Sequence, residues 1–289
     1  MVTFAGLHAA DKKHKMDFHK LLTRTLSGIV YCGIIFGAVI LGRWGIAALG
    51  TIISTLAIVE FVKICHDLNP KEYPLLAIDI AACICLAFTV INPGVFFIWV
   101  FLMLVRLIAQ LYVKSANPVS ELSHSLMGQV YIGLPIVMMS GIALMWSPRL
   151  ILLIFVLLWA NDTGAFLIGS LFGKHRLFER ISPKKSWEGF FGGMAISVGA
   201  AILFYYLCPH FFGMARYMEN VWIAICFALV TTVFGTWGDL VESMIKRNLH
   251  IKDSGNMIPG HGGILDRIDS VLLALPACFL YLLLIQLLF

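Results

Sequence analysis

Residues 149–172, RLILLIFVLLWANDTGAFLIGSLF, carry one cation at their start and one carboxylate, Asp162, past their middle. Coiled as an α-helix, this run is about 36 Å long, enough to cross a hydrocarbon core of about 30 Å. Eight more runs of this kind are read at 26–42, 44–64, 75–91, 94–113, 126–146, 188–208, 220–241 and 269–289. The whole chain agrees. Of its 289 residues 60% are hydrophobic and 13% charged, with a mean hydropathy of +0.90, far more apolar than a water-soluble domain of that size. The expected fold class is all-α, a polytopic integral membrane protein with about nine transmembrane helices.

Basic residues set the orientation, because short loops rich in Lys and Arg stay on the cytoplasmic side. With the N-terminus placed there, seventeen of the 21 Lys and Arg residues share that side. Three, Arg43, Arg149 and Arg216, lie on the other, and Arg106 falls inside the fourth run. The bias puts the N-terminus inside and the C-terminus outside. It also assigns the net charge of +5 to the cytoplasmic face, where it attracts anionic membrane lipids and nucleotides rather than nucleic acid. The chain divides into a cytoplasmic segment 1–25, a transmembrane region 26–148 of about five spans and a second region 149–289 of about four. No removable signal peptide is read in the first 25 residues, and Lys12–Arg24 is either a basic surface helix or a polar tail.

Seven cysteines fall almost wholly in apolar runs without CxxC spacing, which reads as small buried hydrophobes rather than a zinc site. Glu60, Asp79 and Arg106 also lie in apolar runs, with Asp67 just past one. A charge at bilayer depth costs roughly 3 kcal/mol or more unless it finds a partner or water. Glu60 with Arg106 is therefore expected as an interhelical pair, structural rather than catalytic.

Charge gathers in the C-terminal half, in loops 173–188 and 242–268. Residues 243–269 alone hold four cations, three carboxylates, two histidines and five glycines or prolines between two apolar runs. Such a patch has what a metal-bound polyphosphate needs: carboxylates for the cation, Lys and Arg for phosphoryl oxygens, and glycines that let backbone N–H groups approach an anion. If the eighth run stays helical through WGDLVESMIKR (237–247), Asp239, Glu242, Ser243 and Lys246 form one stripe. The bland alternative is a snorkelling helix end. Farther on, PGHGGILDRID (259–269) places Asp266 and Asp269 three apart on the first turn of the ninth span, where simple capping would also favour them. Asp239 and Asp266 end two helices joined by one loop, so they can meet, and two carboxylates with phosphate oxygens suit Mg²⁺. Asp162, with Asn161 and Thr163, suggests a polar pocket inside the bundle. The following loop supplies Lys174, Arg176, Arg180, Lys184 and Lys185 for phosphates, or is merely basic because it is cytoplasmic. GSLFGKH (169–175) lacks Walker A spacing.

At this point the residues carry a resemblance. Ser243, Lys246, Arg247, Lys252, Asp253, Pro259, His261, Gly262, Gly263, Asp266, Arg267 and Asp269 reproduce S-x-x-K-R-x4-K-D…P-x-H-G-G-x-x-D-R-x-D, and the chain resembles the bacterial phosphatidate cytidylyltransferases, or CDP-diacylglycerol synthases. The DTGA and SPKKSWEG strings, from Asp162 and Ser182, resemble them too. The resemblance is strong in the C-terminal half and faint in the N-terminal half. It implies a nucleotidyltransferase of phospholipid biosynthesis in the cytoplasmic membrane, with CTP and phosphatidate as substrates. By similarity, Asp239 and Asp266 hold Mg²⁺, with Asp269 and Asp162 as further ligands, and Asp239, Asp266 and Lys246 are the catalytic candidates. Ser243, Arg247, Lys252, Asp253, His261, Gly262, Gly263, Arg267, Lys184 and Lys185 are the substrate-binding candidates, with His261 read as orienting rather than as a base. A second cation such as K⁺ and a homodimer stay open. The alternatives are a CTP-dependent transferase or kinase of another lipid, and a transporter, which inverted repeats would mark.

Overall fold

The computed structural model describes residues 25–65, 72–115, 117–255, 257 and 262–288. The expectations for residues 1–24, for Asp67, for Pro259 and for His261 lie outside them. Among the described residues eleven α-helices follow one another: α1 (Thr25–Ile40), α2 (Gly42–Cys65), α3 (Tyr73–Phe88), α4 (Val95–Gln110), α5 (Pro118–Gly128), α6 (Leu134–Met145), α7 (Pro148–Phe172), α8 (Trp187–Leu207), α9 (Met214–Tyr217), α10 (Val221–Asn248) and α11 (Leu265–Leu288). Six helical stretches of the described residues, with α5 and α6 counted as one, are long and apolar enough to cross a membrane, and α1, α3 and α4 are shorter apolar helices. The protein is an all-α, multi-pass membrane protein.

Local chemistry sets the helix starts. Ser147 accepts from the Arg149 N–H ahead of α7, with Pro148 at the first helical position; Ser186 accepts from Gly189 ahead of α8, and Asn220 from Ile223 ahead of α10. Each satisfies a backbone donor that the first turn leaves open. Between α5 and α6 the helix continues through a π-helical segment, Gln129–Gly133, closed by Leu134 N–H to the Gln129 carbonyl. Pro135 follows directly. It lacks an N–H and its ring crowds the carbonyl four residues back, and a wider turn relieves both. This helical stretch starts eight residues earlier than the apolar run at 126–146 suggests. The added turns carry the buried Glu121 and Ser125, which apolarity alone does not register.

The central element is α7. Leu150 to Phe155, Leu157 and Leu158 are buried, so this half of the helix is apolar all round and enclosed by neighbours. It packs against α8, α10, α6 and α11, while α2 and α6 join this C-terminal group to α3, on which α4 packs. Between α7 and α8 a Cβ on Gly164 would sit 3.0 Å from the Gly193 Cα, and one on Gly169 3.4 Å from the Gly189 Cα, the close backbone approach that small residues allow between membrane helices.

The loop at 173–188 is a hairpin of two antiparallel strands, β1 (Arg176–Phe178) and β2 (Ser182–Ser186), with an irregular register between Arg176↔Ser186 and Phe178↔Ser182. An isolated hairpin is marginal. Here Leu177 joins Phe190 and Leu240 in a small apolar cluster, Phe178 meets Trp237 edge-on at 6.0 Å, and Glu188 accepts from the Lys174 and His175 backbone N–H groups. The hairpin is thereby docked on α8 and α10.

The expected Glu60–Arg106 pair does not form. Arg106 Nε lies 3.2 Å from both oxygens of Asp79, and its Nη1 donates to Gln110 Oε1 at 2.7 Å. The reason is topological: α3 packs directly on α4, so Asp79 reaches Arg106 first, and Glu60 on α2 turns to the start of α11 instead.

Candidate active site

The eighth apolar run stays helical to Asn248, so Asp239, Glu242, Ser243 and Lys246 do form one stripe. Lys246 Nζ lies 2.5 Å from Glu242 Oε2, one turn away, and Ser243 Oγ donates to Asp239 Oδ1 at 3.3 Å. The stripe faces α11. Gly238 makes the approach possible, since a Cβ there would stand 2.5 Å from the Asp269 carbonyl oxygen. With the backbones this close, one carboxylate oxygen from each of Asp239, Glu242 and Asp269 lies within 4.8 Å of the others.

Three carboxylates at that spacing repel unless cations intervene. Two ammonium groups stand at the edge. Lys246 also reaches Asp266 Oδ1 at 2.7 Å, and Lys185 from β2 meets Asp239 Oδ2 at 2.5 Å. The pairing is incomplete: Glu242 is 3% exposed, and its Oε1 meets no hydrogen-bond donor among the described residues. An all-oxygen donor set with an unused buried carboxylate oxygen fits a hard divalent cation such as Mg²⁺. Glu242 belongs to the stripe read from the sequence but not to the expected ligands. Its i+3 spacing from Asp239 was the available signal.

Asp266 has a different placement from Asp239. Its Oδ2 accepts the backbone N–H groups of Gly263 at 2.8 Å and Ser254 at 3.0 Å, while Oδ1 takes Lys246. The reach back to Gly263 satisfies a backbone donor just ahead of α11. Asp266 is thus committed to the loop and to Lys246, and it stands outside the three-carboxylate group. Gly262, at φ 83°, makes the turn before it in a left-handed conformation that glycine adopts at no steric cost.

Two cavities meet at Asp162. One, of about 520 Å³, lies among α7, α8, α10 and the hairpin, lined by Asp162, Phe166, Arg176, Lys184, Lys185, Phe190 and Asp239 among others. The other, of about 230 Å³, lies among α1, α7 and α11, with Tyr31, Trp159, Asp162, Asp266, Arg267 and Asp269 in its wall. Tyr31 donates to the Arg267 carbonyl at 3.2 Å. Asp162 itself is exposed, and its Oδ1 is 3.5 Å from Asn161 Nδ2.

Not every candidate joins this centre. Arg247 donates weakly to the carbonyls of Ile181 and Ile251, at 3.4 and 3.5 Å, and lines a third cavity with Arg180. Lys252 and Asp253 are exposed. Asp239, Asp269, Ser243, Lys246, Lys185 and Asp162 are brought together, Asp266 and Gly263 brace them, and the exposed Lys184 lines the larger of the two cavities that meet at Asp162.

Residues 22–285 match the cytidylyltransferase family. The phosphatidate cytidylyltransferase of Staphylococcus epidermidis is 44% identical over 141 residues, 48% of this chain and 50% of that protein. Its counterpart in Staphylococcus aureus is 47% identical over 136 residues, 47% and 49% of the two chains. The chain spans about half the length of the curated relatives it matches. The family match takes in α1 through most of α11, including every carboxylate of the centre, and the chain belongs to the cytidylyltransferase family.

Proposed function

We propose that this protein is a phosphatidate cytidylyltransferase of the cytoplasmic membrane, oriented with its N-terminus and the 242–268 loop facing the cytoplasm. A phosphate oxygen of phosphatidate attacks the α-phosphorus of CTP, the bond to the β-phosphate breaks, and CDP-diacylglycerol and pyrophosphate form. The observation that carries this reading is the three-carboxylate group of Asp239, Glu242 and Asp269, flanked by Lys185 and Lys246 and bordered by two cavities.

Those three carboxylates are the residues that would hold Mg²⁺, with Asp162 beside them. When bound, the ion neutralises phosphate charge. The chain's own groups supply the rest. The phosphate of the lipid is already ionised near neutral pH, so the reaction needs no general base. Lys184, Lys185 and Arg176 at the mouth of the larger cavity attract that phosphate, and Phe166 and Phe190 in its wall give the acyl-bearing end an apolar path from the bilayer. Lys246, held between Glu242 and Asp266, is placed to offset charge that grows on the departing pyrophosphate. CTP, phosphatidate and membrane lipids are then the partners; a second monovalent cation and a homodimer are compatible additions.

Purified protein supplied with CTP should release pyrophosphate only when phosphatidate and Mg²⁺ are both present, and labelled CTP should yield a CMP-lipid. A phosphorylated lipid as product would make the protein a CTP-dependent lipid kinase instead.

A further inference from the structure

In the connection from α10, which ends at Asn248, to α11, which begins at Leu265 beside Asp266, Ser254, Ile264 and Leu265 converge on one carboxylate from the other half of the chain. Glu60 on α2 is 5% exposed. It accepts the Ser254 hydroxyl, and the backbone N–H groups of Ile264 at 2.9 Å and Leu265 at 3.1 Å. The two amides belong to the start of α11, where backbone donors have no partner within the helix and a negative charge is favoured. Ser254 passes the contact on, giving its own N–H to Asp266 Oδ2, and Asp266 holds Lys246. The backbone is shaped around the carboxylate. A Cβ on Gly263 would overlap Glu60 Oε1 and Ser254 Oγ, and one on Gly255 would come within 3.0 Å of Glu60 Oε2.

We propose that Glu60 is a positioning residue for nucleotide transfer: it clamps both ends of the 254–265 loop and so holds the Asp266–Lys246 pair against the three-carboxylate group. This deepens the cytidylyltransferase reading and rests on it. The two carboxylate oxygens together accept from all three donors. Glutamine has the same shape but points an NH₂ at one of the two amides whichever way it is turned, leaving a buried N–H without an acceptor.

The test is Glu60→Gln in the full-length protein in detergent micelles, read in two ways. Amide hydrogen exchange should accelerate about tenfold or more at Ser254, Ile264 and Leu265 and stay unchanged in α3 and α4, because only these residues lose the clamp. The KM for CTP should rise about fivefold or more, an effect that loss of folded protein does not produce, since fewer active molecules lower the maximal rate and leave KM in place. Ser254→Ala alone should give a smaller shift in the same direction, and combined with Glu60→Gln less than the product of the two, as expected of residues acting through one contact. Unchanged loop exchange, exchange that rises equally in every helix, or an unchanged KM would overturn the proposal. The exchange measurement needs no turnover, so a wild-type protein that fails to make CMP-lipid would count against the functional reading while the clamp is judged on exchange alone.

Discussion

In α3 to α5 and the π-helical segment that follows, Asp79 and Arg106 are 1% and 4% exposed and 3.2 Å apart, and Ser125, Gln110, Gln129 and Glu121 close around them through hydrogen bonds. In α10 and α11, Asp239, Glu242 and Asp269 crowd together with two ammonium groups at the edge and cavities on either side. Both clusters hold charge within helices of an apolar chain. The first spends its charge internally, with each charged group partnered, and such a network orients helices. The second leaves a buried Glu242 oxygen without a hydrogen-bond donor among the described residues and borders open space, which marks a place for an external cation and anionic substrates. Burial of charge alone does not indicate function here; the state of its pairing does.

The comparison can be broken most directly at Asp239. Asp239→Asn keeps the shape and removes one carboxylate, and it should lower phosphatidate-dependent pyrophosphate release by about 10²- to 10³-fold with unchanged thermal stability. If Asp239→Asn instead melts the protein and the surviving fraction turns over normally, the acidic cluster is architecture like the other. Asp79→Leu should do the opposite. Leaving Arg106 buried without its partner carboxylate costs about 3–5 kcal/mol, read as a fall in the thermal midpoint of the detergent-solubilised protein, while turnover per folded molecule stays within about twofold. A mild change is expected at the hairpin. Lys185→Gln removes one cation from the mouth of the larger cavity and should raise the KM for phosphatidate by about tenfold with little effect on stability. An equal rise for CTP alone would assign that cavity to the nucleotide.

Much of the centre was legible before the helices were assembled. The stripe from Asp239 to Lys246 follows from 3.6-residue periodicity once the helix continues to Asn248, and the carboxylates of the DRID string follow from their place at the start of α11. Lys185 over Asp239 was not legible, because it depends on a hairpin whose docking rests on Leu177, Phe178 and Trp237 meeting across elements. Nor was the separation of Asp266 from the three-carboxylate group. Spacing put Asp266 and Asp269 on one side of the helix, whereas the turn at Gly262 and Gly263 directs the Asp266 carboxylate back toward backbone N–H groups.

By itself the amino-acid sequence determined that this chain is a bundle of membrane helices and roughly where each begins and ends. In hydrocarbon a segment must satisfy its own backbone hydrogen bonds, so a long apolar run has little choice but helix. It also determined which charges lie inside apolar runs and which lie between them. Which of them touch was decided only by the tertiary structure. Arg106 had two carboxylates within plausible reach, Glu60 and Asp79, and nothing local separates them; the packing of α3 on α4 gave Arg106 to Asp79 and left Glu60 to the start of α11. Apolar helices are equally at home against lipid or against one another, so their choice of neighbours rests on glycine contacts, close packing and a few buried polar groups that come together only when the whole bundle forms.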